Sequence, residues 1–70
     1  MIRSRLHNPV IKSASYDAET ETMIIEMTTG SVVKYSPAPF GTYDALVTSR
    51  FPEKVYRHQV KGIIPERPGI

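Results

Sequence analysis

The sequence predicts an α+β domain, a three-stranded antiparallel β-meander followed by one or two short α-helices packed on one face. Three observations predict it. Thr22 to Thr28 alternates with a period of two and sets Met23, Ile25 and Met27 on one face of a strand. Gly30 then offers a positive-φ turn residue before the β-branched, aromatic-ended run Ser31-Val32-Val33-Lys34-Tyr35, which completes a hairpin. Beyond two prolines, Phe40, Tyr43, Leu46 and Val47 recur at helical spacing.

In chain order, residues 1–9 read as an extended basic lead-in, residues 10–62 as the domain proper and residues 63–70, with Pro65, Pro68 and Gly69, as a C-terminal tail. Asn8-Pro9 is a turn signal, because a residue before proline is pushed out of helical space. Val10 to Tyr16 predicts a half-buried strand with Val10, Ala14 and Tyr16 on one face and Ser13 and Ser15 on the other; Ile11 breaks the pattern. Asp17 to Glu21 is polar and turn-like. Pro37 and Pro39 forbid a central strand, whereas Pro39 suits a first helical turn, where its missing N–H is no loss. The helix that follows runs about ten residues, weakened by Gly41, and is expected to lay Phe40, Tyr43, Leu46 and Val47 against Met23, Ile25 and Met27. Pro52 opens a second helical segment, Glu53 to Val60, with Gly62 as its stop.

Seventy residues suffice for one thin core and leave little area for a deep, dry pocket. With no Cys there is no disulfide, thiolate metal site or thiol nucleophile. The longest aliphatic stretch, Met23-Ile24-Ile25, falls far short of the ~20 apolar residues of a membrane span, and the N-terminal residues carry no apolar signal region. The expected setting is the cytoplasm, away from membranes.

Charge is arranged in blocks that matter more than the net +2. Residues 1–12 hold Arg3, Arg5 and Lys12 without an acid; residues 13–33 hold Asp17, Glu19, Glu21 and Glu26 without a base; residues 50–61 hold Arg50, Lys54, Arg57 and Lys61 against only Glu53. A folded chain so patterned has an electrostatic dipole that steers an anionic partner to one side. On a helical wheel Arg50, Lys54, Arg57 and Lys61 fall within roughly 60° of one another with His58 beside them, one basic ridge that exists only if the segment is helical.

From Ser13 onward the order of motifs resembles the KTSC domain, named for its occurrence at the C-terminus of some lysyl-tRNA synthetases and found also as a stand-alone bacterial or phage protein. Ser13-Ala14-Ser15-Tyr16-Asp17 is similar to the family's opening Ser-x-x-Tyr-Asp, and Met23 to Met27 with Gly30 to its strand and Gly turn. Val33-Lys34-Tyr35 stands at the central Tyr-x-Tyr, Pro39 to Leu46 at the Val-Pro-x-x-x-Tyr-x-x-Leu helix, and Ser49 to Phe51 at the Ser-containing loop before a Phe. Val33 replaces the first aromatic, leaving Tyr35 alone, and Arg50-Phe51-Pro52 is more compact than the family's Gly-containing loop. The resemblance implies the α+β fold and, from the synthetase context, a leaning toward nucleic acid.

The residues themselves supply no catalytic constellation. His7 and His58 lack carboxylates at metal-ligand spacing, the glycines do not pair at phosphate-loop spacing, and no serine lies in a nucleophile elbow. No catalytic residue, metal or cofactor is expected. The expected activity is weak nucleic-acid binding, RNA ahead of DNA, with Arg50, Lys54, Arg57, His58, Lys61, Arg3 and Arg5 for phosphate and Tyr35 and Tyr56 as stacking rings. The alternative is a protein-interaction module, such as a phage-encoded regulator or inhibitor of a host protein. It would dock through the free edge of a small sheet, which also allows a homodimer, or through its amphipathic second helix, or engage a basic surface with Asp17, Glu19 and Glu21.

Overall fold

The alternating segment in mid-sequence forms the centre of a larger sheet than expected. In the computed structural model, which describes residues 2–67, β3 (Thr22–Met27) lies between β2 (Ile11–Asp17) and β4 (Val32–Tyr35). Two further strands, β1 (Ile2–Arg5) and β5 (Glu66–Arg67), extend it on either side in the order β1-β2-β3-β4-β5, every pair antiparallel. After β4 come α1 (Phe40–Thr48), α2 (Pro52–Val55) and a single π-turn (Tyr56–Val60), which pack on one face of the sheet. The α+β class and the antiparallel meander hold; the strand number of three is corrected to five.

Both additions fall in segments read as flanks. The lead-in is extended, but it pairs with β2 from Ile2↔Tyr16 to Arg5↔Ser13. In the tail, β4 pairs with β5 through Lys34↔Arg67 and Tyr35↔Glu66, and Ile64 is buried in the core. Residues 68–70 lie outside the described residues. Neither strand has an apolar alternation to announce it, since β1 is Ile-Arg-Ser-Arg and β5 only Glu-Arg. Backbone pairing with an edge already built creates them. The free edges of the sheet are therefore β1 and β5, and not those of a three-stranded meander.

The faces of β2 also differ from expectation. Ile11 pairs with Met27 and Ser13 with Glu26, so Lys12 is an extra residue on β2, a β-bulge. A bulge changes the phase of the alternation by one. Ile11 therefore joins Ala14 and Tyr16 on the core face, fully buried, while Val10, expected inside, is 44% exposed.

The core face gathers Ile11, Ala14, Tyr16, Met23, Ile25 and Tyr35 from the sheet against Tyr43 and Leu46 of α1 and Val60 of the π-turn. Each fully buried aliphatic contributes about 1.5–3 kcal/mol. Phe40, expected in this layer, stays half exposed with its ring edge-on to Tyr16 at 5.5 Å. The Tyr16 hydroxyl donates to the Ala38 carbonyl at 2.8 Å, and the Ala38 N–H donates to the Glu21 carbonyl, fixing the loop that delivers α1. The Tyr43 hydroxyl bonds Ser4 Oγ at 2.9 Å, which ties α1 to β1.

α1 ends at Ser49 because the chain must turn extended ahead of Pro52; Phe51 has φ −127° and ψ 71°. Pro52 starts α2, as expected, and Gly62 supplies a positive-φ turn (φ 81°) just past the π-turn. The single regular helix expected over Glu53 to Val60 is corrected: the Lys61 N–H reaches back to the Tyr56 carbonyl, five residues away, at 2.9 Å. The inward residues Pro52, Tyr56 and Val60 recur every four positions. In an α-helix that spacing drifts by about 40° per step, and the wider turn recovers the drift.

Candidate nucleic-acid interface

The segment that closes the core is also the segment that carries the cations. With Pro52, Tyr56 and Val60 turned inward, Lys54, Arg57, His58 and Lys61 take the outer side and all are exposed, as is Arg50. The four-residue period places Lys54 and His58 in one row and Arg57 and Lys61 in the row beside it. Arg50 precedes Pro52 and is on no helix, so the single ridge of four is corrected to two rows with Arg50 ahead of them. Among the described residues, none of these cations takes part in an ion pair.

One carboxylate lies in this group and is held in place. The Asn8 side chain donates to Glu53 Oε2, while Asn8 Oδ1 accepts from the Val10 and Ile11 N–H groups at 2.8 and 3.0 Å. Hydrogen bonding at the start of α2 and from Asn8, with the charges of Lys54 and Arg57, holds the Glu53 carboxyl below the usual carboxylate range. The Asn8-Pro9 turn thus anchors the base of the cationic segment.

The aromatic members divide. Tyr35 is 1% exposed, so its ring is core and presents no stacking surface; the expectation for it is corrected. Its hydroxyl meets the Tyr56 hydroxyl at 2.5 Å, and the rings lie edge-on with centroids 6.0 Å apart. Burial, then the Tyr56 hydrogen bond, push the Tyr35 hydroxyl well above the ordinary tyrosine value. Tyr56 is half-buried with its polar tip committed. The open ring is Phe51, 54% exposed, with Lys54 Nζ 5.0 Å from its centroid. Its place immediately before Pro52, outside the helix, is the signal that puts it at the surface.

Arg3 and Arg5 do not join this group. As register partners of Ser15 and Ser13 they lie on the sheet face turned away from the helices, where Arg3 pairs with Glu26 at 3.4 Å. No helix among the described residues is long and apolar enough to cross a membrane.

Comparison with known proteins adds two findings. The family model of the KTSC domain matches residues 8–63. The crystal structure of a KTSC domain protein from Yersinia pestis superposes with a TM-score of 0.89 at 16% sequence identity, covering 99% of this chain and 97% of that one. No curated protein matches.

Proposed function

The chain belongs to the KTSC domain family, and on that premise we propose that it is a small non-enzymatic binding module that engages nucleic acid, single-stranded RNA ahead of DNA, through the segment 50–61. One observation carries the reading: Arg50, Lys54, Arg57, His58 and Lys61 are all exposed and free of ion pairs among the described residues, on the same segment as the exposed ring of Phe51, with Lys54 Nζ 5.0 Å from its centroid. The cations meet phosphates while the ring receives a base. An exposed ring beside cations favours unstacked bases, which RNA loops and single strands present and duplexes do not.

About four phosphate contacts correspond to micromolar or weaker affinity at physiological salt, with a slope of log affinity on log salt near −3. Such weakness suits an auxiliary site that works beside a stronger one. Fluorescence anisotropy with labelled single-stranded RNA, tRNA and duplex DNA at low and moderate salt tests it. Lys54→Ala with Arg57→Ala is expected to reduce RNA affinity about tenfold and flatten the salt slope, and Phe51→Ala to weaken single strands more than duplex. Absence of binding at low salt, or indifference to the double variant, overturns it.

A further inference from the structure

The face of the sheet turned away from the helices takes no part in the reading above. Register aligns Arg3, Ser15, Ile24, Lys34 and Arg67 in one row across all five strands, and Arg5, Ser13, Glu26 and Val32 in the next. Between them lies a depression of about 350 Å³ lined by Arg3, Ser13, Ser15, Ile24, Glu26 and Val32. Its floor is built: Ser13 is 3% exposed and its hydroxyl donates to Glu26 Oε1 at 3.2 Å.

The charge of this face is one-sided. Glu26 is already matched by Arg3 at 3.4 Å and Lys12 at 3.7 Å. Asp17 sits at the hairpin end, where its carboxylate accepts from the Glu19 N–H. Arg5, Lys34 and Arg67 have no carboxylate partner among the described residues. Cations therefore stand on both flanks of the sheet, Arg3 and Arg5 on β1, Lys34 and Arg67 on β4 and β5, with Val32, 45% exposed, and Ile24 between them.

We propose that this face docks an extended acidic segment of a partner protein, one that presents carboxylate, apolar, carboxylate and carboxylate side chains on alternate residues, seven residues from the first to the last. Strands about 4.8 Å apart put Arg3 and Arg67 about 19 Å from each other, the span of six to seven extended residues at about 3.3 Å each. A peptide of that length sets its acidic ends on the two cationic flanks and its apolar residue over Ile24 and Val32. Nucleic acid fits less well. The described residues of this face include no aromatic ring, so bases find no stacking surface and the apolar centre goes unused.

The probe is a fluorescein-labelled Gly-Glu-Ser-Leu-Ser-Glu-Ser-Glu-Gly peptide, titrated by anisotropy against the whole chain. Controls carry Lys in place of each Glu, or Gly in place of Leu, and a labelled uridine octamer is run beside them. Saturable binding of the acidic peptide is expected, weakened tenfold or more by Lys34→Glu with Arg67→Glu and unchanged by Arg57→Glu on the opposite side. Val32→Ser is expected to weaken the Leu peptide threefold or more and leave the Gly peptide unaffected. Should the double reversal fail to fold by circular dichroism, Arg5→Gln with Lys34→Gln reads the same loss. The proposal is overturned if the Lys peptide binds as well as the acidic one, if the folded charge variants bind normally, or if the uridine octamer competes for this face more tightly than the peptide. It shares no residue with the interface at 50–61, so the two readings fail independently.

Discussion

The hydroxyls of Tyr35 and Tyr56 meet at 2.5 Å, and this contact joins the last long strand of the sheet to the π-turn that carries the cations. Tyr35 is 1% exposed, so its hydroxyl has the partly buried Tyr56 hydroxyl as its partner in place of bulk water.

Removing both members of that pair therefore costs less than the two single removals added together. Tyr56→Phe leaves the Tyr35 hydroxyl buried and unpartnered, a loss of about 1–3 kcal/mol, whereas Tyr35→Phe with Tyr56→Phe is expected to lose less than the sum of the single variants. Urea unfolding of the four proteins checks it; strict additivity refutes the coupling. The same contact sets an alkaline limit. Unfolded Tyr35 ionises near its ordinary value of 10.0, while burial and the Tyr56 bond keep it neutral in the fold. Above that pH the unfolded chain binds fewer protons, so stability falls as pH rises.

Glu53 sets a matching effect on the acid side. Its carboxyl is depressed in the folded chain by hydrogen bonding at the start of α2, by Asn8, and by Lys54 and Arg57. The folded state prefers the charged form, so this contribution is full above the ordinary carboxyl value of 4.5 and is lost as pH falls through the depressed folded value. Glu53→Gln is expected to be less stable than the parent at neutral pH, with the gap closing on acidification. A gap that is constant with pH refutes it.

The bulge at Lys12 separates two neighbours that the sequence pattern exchanges. Ile11→Ala is expected to cost about 2–5 kcal/mol, because it empties a fully buried position. Val10→Ala is expected to stay within about 0.5 kcal/mol. Thermal unfolding of both variants decides between the bulged register and a regular one.

Residues 63–67 are structural. Ile64 is 7% exposed, and the Ser36 N–H donates to the Pro65 carbonyl at 3.1 Å. Ile64→Asp is expected to unfold the domain, and Ile64→Ala to lower stability by about 2 kcal/mol or more. Wild-type unfolding behaviour in a chain ending at Gly62 would show β5 to be dispensable.

Periodicity and turn chemistry were enough to identify β3, the Gly30 hairpin, α1 and the Pro52 helix start, since each depends on residues within a few positions of one another. They also placed Lys54, Arg57, His58 and Lys61 on an element that begins at Pro52, and these side chains do face solvent. The family motifs located the buried tyrosines without saying which rings would remain open.

What only tertiary contact decided shares one physical cause. β1 and β5 carry no periodic signal and exist because unpaired N–H and C=O groups on β2 and β4 had to find partners. The bulge at Lys12 depends on matching β2 to Met27 across the sheet, and the π-turn on keeping Pro52, Tyr56 and Val60 in phase with a core built elsewhere. Arg3 and Arg5 went to the opposite face from Arg57 because strand pairing alternates side chains between faces, and that assignment needs a partner strand before it has meaning. Local patterns are properties of a segment, whereas face and register are properties of a pair.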